Sequence, residues 1–231
     1  MRIGILKCGQ SPEVARGAHG DYDDMFVDLL AGRGFAFDRY HVEAMEFPRD
    51  VHAADGWLIT GSRHGVYEDH AFIPPLEEFI RQAHAAGVPI VGICFGHQIV
   101  AQALGGRVEK FGGGWAVGAQ DYDFGGEKIT LNAWHQDQVV DRPHGAQVAA
   151  RNDFCENAAL VYGDRAFTVQ AHPEFHDDFV DELIEHRGAG IPGERVAAAR
   201  SRRGSADARA VADRIEAFFR RPRTVSGESS G

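Results

Sequence analysis

Cysteine is scarce in this chain, with only Cys8, Cys94 and Cys155 among 231 residues. An odd, small number, behind an N-terminus with no secretory pattern, argues against a disulfide framework. No CxxC pair occurs, so a structural zinc site is not expected either. Long apolar runs are missing too. None approaches the ~20 residues that cross a bilayer, and no membrane partner is expected. Basic charge is short: 24 Lys and Arg against 34 Asp and Glu give a net charge of -10. Nucleic-acid binding needs a basic footprint and is not expected as the main activity. There is no G-x-x-x-x-G-K-[ST] phosphate loop, no internal repeat, and no sign of a cofactor.

What is present is ordinary for a soluble globular enzyme: 44% hydrophobic and 25% charged residues. The length suits one domain with a large core. The start, MRIGILKCG, is apolar but meets glycine at once, and reads as the first buried strand of a cytoplasmic protein. Apolar runs such as Ile3–Cys8, Trp57–Thr60 and Ile90–Ile93 alternate with helical patterns at Asp21–Leu30, Leu76–Ala86 and Asp177–Glu185. That alternation predicts an α/β fold with a mostly parallel sheet. Residues 107–171 read mostly as β. Residues 188–204 read as a mobile loop with a helical turn or two, and Ala206–Arg220 as a packed amphipathic helix. One domain over residues 1–221 is expected, with a disordered polar tail at 222–231. The charge is uneven. Residues 187–223 hold ten Arg and four acids. This segment reads as a surface that pairs with the acidic body, or else as a docking surface for an acidic partner.

The most informative stretch is Pro89-Ile-Val-Gly-Ile-Cys-Phe-Gly-His-Gln-Ile-Val. A buried strand ends in Gly92-Ile93-Cys94-Phe95-Gly96 and becomes a helix, the G-x-S-x-G elbow with cysteine in place of serine. Side chains two before and two after the nucleophile would collide across so sharp a turn, so both positions need glycine. The turn sets the sulfur at a helix N-terminus, where partial positive charge favours thiolate. The Phe95 N–H then points toward a developing oxyanion. Cys8 and Cys155 lack this context and read as small buried hydrophobes.

A cysteine nucleophile needs a base. Among twelve histidines, His172 is set apart by its place in Ala171-His172-Pro173-Glu174-Phe175, at the C-terminal end of a strand. That edge carries the site in open α/β sheets. Glu174 can reach back to the second ring nitrogen and set the tautomer. His172 and His176 share an i, i+4 spacing, but Pro173 disfavours the helix that would align them, and no metal is expected. Gly61-Ser62-Arg63-His64-Gly65 follows another buried strand, and Ser62 N–H or its neighbour is the candidate second oxyanion donor. Gln98, one helical turn past Cys94, is a candidate substrate contact beside Gly61. Trp134-His135-Gln136-Asp137 interrupts a strand pattern, either to wall the pocket or as an edge turn.

With Gly92-Ile-Cys94-Phe-Gly96-His-Gln98 and Ala-His172-Pro-Glu174-Phe in this order, residues 1–185 resemble the class I glutamine amidotransferase family. The resemblance implies a flavodoxin-like three-layer sandwich with an additional β region. It implies a small-molecule substrate cleaved at a γ-glutamyl amide through a γ-glutamyl thioester on Cys94, with His172 as acid/base and Glu174 orienting it. Synthetase-linked members carry Gly-Gly-Pro at the oxyanion loop. Thr60-Gly61-Ser62-Arg63 looks more like free-standing members such as γ-glutamyl peptidases. Three readings follow: a self-contained hydrolase, an ammonia-donating partner of a synthase subunit, or a non-catalytic binding protein.

Overall fold

The computed structural model describes residues 1–222. The tail expected at 222–231 therefore lies outside the described residues, apart from Pro222. A seven-stranded sheet forms the centre, built from β1 (Arg2–Leu6), β2 (Ala36–Tyr40), β3 (Gly56–Ile59), β4 (Ile90–Ile93), β9 (Gln147–Ala150), β10 (Ala159–Tyr162) and β11 (Ala166–Val169), in the order β2-β1-β3-β4-β11-β10-β9. The first five in that order run parallel, and β10 and β9 pair antiparallel at the edge. This is the mostly parallel α/β architecture that the strand–helix alternation predicted.

Both faces of the sheet are covered, which is why its central strands are apolar throughout rather than alternating. The side-chain period of two still sorts them. Leu6, Trp57, Ile59 and Ile90 join one core with Leu76 and Ile80 of α3 (Ile73–Ala85) and Ile99 and Val100 of α4 (Phe95–Ala103). Ile3, Ile5, Leu58, Val91 and Ile93 join the other, with Phe26 of α2 (Tyr22–Leu29) and Val211, Ile215 and Phe219 of α7 (Ala208–Arg220). A third core lies under α5 (Asp177–Arg187), where Phe175, Phe179 and Leu183 meet Tyr22 and Val117. Local signals set the helix starts. Asp21 and Asp24 make a capping box on α2, and Pro74 and Pro75 sit in the first turn of α3.

The additional β region holds two further two-stranded sheets: β5 (Arg107–Lys110) with β8 (Asp137–Asp141), and β6 (Ala116–Phe124) with β7 (Glu127–His135). Trp134-His135-Gln136-Asp137 interrupts the strand pattern as expected: Trp134 and His135 end β7, Gln136 bends the chain, and Asp137 opens β8. Residues 188–204 are not simply a loop, because α6 (Gly193–Ser201) occupies their middle and packs on β6. Its alanine-rich sequence carries too weak an apolar stripe to be read as an element. The helix α1 (Glu13–His19) was missed as well, being seven residues long with Gly17 inside it.

The basic C-terminal segment pairs with the acidic body. Arg203 is bonded to Asp178 and Asp181, Arg202 to Asp121 and Arg214 to Glu127. No helix among the described residues is long and apolar enough to cross a membrane. Phe219 is 1% exposed and seals α7 against the sheet. Phe219→Ala is expected to lower unfolding free energy by about 3–5 kcal/mol. A urea titration checks this, and a loss under about 1 kcal/mol would mean that α7 is not part of the cooperative core.

Candidate active site

Strand β4 ends at Ile93 and helix α4 begins at Phe95, so Cys94 alone makes the turn between them. Its backbone has φ 53° and ψ −104°; the one other non-glycine with positive φ among the described residues, Met45, is in the ordinary αL conformation at φ 65° and ψ 21°. A strained non-glycine of this kind costs on the order of 1–3 kcal/mol and persists only where its surroundings fix it. They do so here. Cys94 N–H donates to the Val169 carbonyl at 2.9 Å, and the Cys94 carbonyl accepts from Gln98 N–H at 3.0 Å. A Cβ on Gly92 would stand 2.4 Å from the Gly96 carbonyl oxygen, so glycine is required as expected. The reason at Gly96 differs from the expected one. A Cβ there would meet the Ile59 carbonyl of β3 at 2.3 Å, so this glycine lets the helix press onto the neighbouring strand.

His172 follows the end of β11, in the turn that leads to α5. Its N–H donates to the Asn132 carbonyl of β7 at 2.8 Å. The Asn132 amide in turn donates to the Phe175 carbonyl at 3.0 Å and to Asp177 at 3.1 Å. The His172 ring is stacked on Phe175, with centroids 3.8 Å apart and planes within 5°. Nδ1 is 2.7 Å from Glu174 Oε1, and the ring is also hydrogen-bonded to Cys94. His172 and Glu174 are both buried, at 3% exposure. Burial pushes the imidazole pKa down, but the charges of Glu174 and Cys94 and the hydrogen bonds to both outweigh it and raise the value to about 10. The carboxylate and the sulfur on either side thus both favour the protonated ring. Gly61 abuts this pair, its Cβ position lying 3.1 Å from the His172 ring and 3.8 Å from Cys94 Cβ.

A pocket of about 240 Å³ opens over the sulfur. Of the residues expected at the site, Cys94, Ser62, Gln98, Trp134 and His135 line it. Gly61, Phe95, His172 and Glu174 lie behind that lining. Ser62 is held by its hydroxyl, which accepts from His64 N–H at 3.2 Å. Phe95 is the first residue of α4, and N–H groups in a first helical turn lack intrahelical acceptors. Gln98 lines the pocket as expected, and it also braces the wall. Its amide nitrogen donates to the Asp137 carbonyl at 2.9 Å and to Gln170 Oε1 at 3.1 Å, so it ties the pocket wall to the sheet. Burial first, and then the charge of His172, lower the His135 pKa to about 3, so this ring is neutral at ordinary pH. His176 is extended backbone at the start of α5, and His172 Nδ1 is taken by Glu174, so these two histidines do not form a metal pair.

Sequence reasoning did not find Tyr22, Arg63, Tyr67, Lys110, Trp115 or Arg187 in the pocket lining. Arg63 and Tyr67 share the loop after β3 with Ser62, while the others come from separate elements that only the fold brings together. Lys110 reaches the site because β5 pairs with β8, placing it opposite Asp137. Arg187 was visible only as the start of the basic segment; it lines the pocket with Tyr22, where it partly offsets the burial that raises the Tyr22 pKa.

The sequence model for glutamine amidotransferase class-I matches residues 21–184. The chain belongs to the class-I glutamine amidotransferase family. Among curated relatives, gamma-glutamyl peptidase 4 of Arabidopsis thaliana is 31% identical over 196 residues, covering 77% of each chain. The glutamine-hydrolysing GMP synthase of Leifsonia xyli subsp. xyli is 35% identical over 192 residues. That match covers 68% of this chain but 37% of the synthase. In fold, the chain resembles a glutamine amidotransferase of Thermotoga maritima, with TM-score 0.75 at 20% identity over 96% of this chain and 99% of the other.

The three cysteines should differ sharply in reactivity. Burial and the charge of Glu43 hold the Cys8 thiol well above its ordinary pKa, and burial raises that of Cys155 to about 12. Only Cys94 lines the pocket with an imidazolium beside it. Iodoacetamide is expected to modify Cys94 first, as read by peptide mass spectrometry. The raised histidine pKa sets the sign of the pH effect: the imidazolium is present through neutral pH and is lost as pH rises through about 10. Glu174→Gln removes the carboxylate that raises it, so Cys94 labelling near neutral pH should slow. Equal labelling of all three thiols, or no change in Glu174→Gln, would contradict this electrostatic account.

Proposed function

We propose that the protein is a self-contained cysteine hydrolase of γ-glutamyl amide bonds, with Cys94, His172 and Glu174 as its triad. The observation that carries this reading is the strained Cys94 at the head of α4, in contact with a buried histidine whose other nitrogen is bonded to a buried carboxylate. In the mechanism, the Cys94 thiolate attacks the γ-carbonyl carbon of the substrate. Negative charge moves to the carbonyl oxygen, which accepts from the N–H groups of Phe95 and of Ser62 or its neighbour. The C–N bond then breaks, and His172 gives its proton to the leaving amine. Neutral His172 next takes a proton from water as that water attacks the γ-glutamyl thioester. Glutamate leaves, and the thiolate and imidazolium are restored.

The pocket lining carries both signs of charge, Glu68 and Asp137 beside the cations, which suits the ammonium and carboxylate of a γ-glutamyl group. Trp115 and Trp134 pack 5.7 Å apart at one wall, and Arg63, Lys110 and Arg187 supply cations. The volume is below that of a typical drug-sized site, as suits a glutamine- or dipeptide-sized ligand. The resemblance to gamma-glutamyl peptidase 4, with matched coverage of both chains, favours hydrolysis by this chain alone. A second reading is an ammonia-donating subunit for a separate synthase. The match to part of a GMP synthase motivates it. A non-catalytic binding role would give no reason to keep a positive-φ cysteine beside a buried His–Glu pair.

Glutamate release from L-glutamine, γ-glutamyl dipeptides and glutathione tests these readings. The purified chain should cleave at least one γ-glutamyl peptide unaided. Cys94→Ala should reduce that rate by ~10³-fold or more, and Glu174→Gln by less than Cys94→Ala. Activity that appears only on adding a synthase would replace the hydrolase with the second reading.

A further inference from the structure

One cluster beside the pocket has no part in the hydrolase chemistry. The loop between β3 and α3 carries His64, Glu68 and His70, whose donor atoms all lie within 4.8 Å of one another. Among the described residues it is the one group of three or more such side chains. His70 Nε2 is 2.9 Å from Glu68 Oε2, and His64 Nδ1 is 3.7 Å from the same oxygen. The two imidazole rings stand 3.9 Å apart, tilted by 55°.

We propose that His64, Glu68 and His70 form a binding site for a borderline divalent transition-metal ion of the zinc class. Two imidazoles and one carboxylate suit such an ion rather than magnesium or calcium, which favour oxygen-only sets. A second observation points the same way. The far nitrogen of His64, Nε2, lies 3.0 Å from Glu43 Oε1, at the turn after β2. Histidines that ligate a metal ordinarily donate their other N–H to a carboxylate, which fixes the tautomer and aims the free nitrogen at the ion. With Nε2–H on Glu43, the His64 lone pair is at Nδ1, the atom nearer Glu68.

The loop is also held in place before any ion arrives. Glu68 N–H donates to the Gly65 carbonyl at 3.1 Å, His70 N–H to the Glu68 carbonyl at 3.0 Å and Ile73 N–H to the His70 carbonyl at 3.1 Å. Phe72, 3% exposed, lies 5.9 Å from both histidine rings. Three protein ligands leave a tetrahedral ion one open position for water. His64 and Glu68 both line the pocket, so the ion sits in its wall, two residues from Ser62 on the same loop. Binding replaces the proton now shared between His70 and Glu68, so affinity falls as pH drops. The site does not depend on the hydrolase reading.

The test uses tag-free protein carrying Cys94→Ala, so that the pocket thiolate cannot capture the ion. Zinc is titrated by calorimetry and cobalt by its visible absorption. The expected result is one ion per chain, with cobalt bands of a four-coordinate nitrogen and oxygen site. His70→Ala, a change outside the pocket lining, should abolish binding, as should Glu68→Gln if the alanine variant proves unstable. Glu43→Gln should weaken binding about tenfold or more by freeing the tautomer. No one-to-one binding, or binding that survives both His70→Ala and Glu68→Gln, would overturn the proposal.

Discussion

The arrangement depends on one backbone reversal. Strand β4 runs into helix α4 with no intervening residue except Cys94, which takes a positive-φ conformation to make the turn. Glycine would adopt it freely but would bring no sulfur. The cost of holding a cysteine there, on the order of 1–3 kcal/mol, is offset by the most constrained part of the fold. The central strands β3, β4 and β11 grip the turn from both sides, through the Val169 carbonyl and the close approach of Gly96 to Ile59. The strain is affordable because β4 is buried on both faces, so relaxing the turn would disturb both cores.

The electrostatics rest on that geometry. A lone buried imidazolium would be driven to its neutral form. Here a carboxylate 2.7 Å away and the sulfur on the other side reverse the sign. The pair needs positioning as much as charge. Asn132 on β7 receives the His172 N–H and returns its own amide to Phe175, while the Phe175 ring lies flat against the imidazole. The additional β region thus holds His172, as well as walling the pocket with Trp134 and His135. His135 and His97, both buried without a carboxylate partner, have pKa values pushed down to about 3 by burial, which marks the contrast with His172.

The sequence revealed those parts that local chemistry dictates. The elbow was legible because glycine stands two residues to either side of Cys94, at Gly92 for the turn and at Gly96 for the close approach to β3, and the parallel sheet because buried strands are apolar on both faces. His172 and Glu174 were legible as a pair because two residues suffice to link them at a strand end. What stayed hidden depended on long-range pairing or on weak local signals. Lys110 and Asp137 meet through the β5–β8 register. Helix α6 lacks an apolar stripe, and the hydrogen bonds that occupy the Gln98 amide come from β8 and from Gln170, far along the chain. The cluster of His64, Glu68 and His70 lies within seven residues, yet it has neither the cysteine pairs nor the helical histidine spacing that marks a metal site in sequence. Its alignment comes from loop hydrogen bonds and from Glu43 on another element.

The central claim is that Cys94 forms the covalent bond to a γ-glutamyl group. Acid quenching during turnover of a γ-glutamyl peptide, followed by peptide mass spectrometry, tests it most directly. The account predicts an adduct of one glutamyl residue on the Cys94 peptide, labile to hydroxylamine as a thioester is, and missing from Cys94→Ala. Steady turnover with no such adduct at any quench time, or turnover that persists in Cys94→Ala, would contradict it.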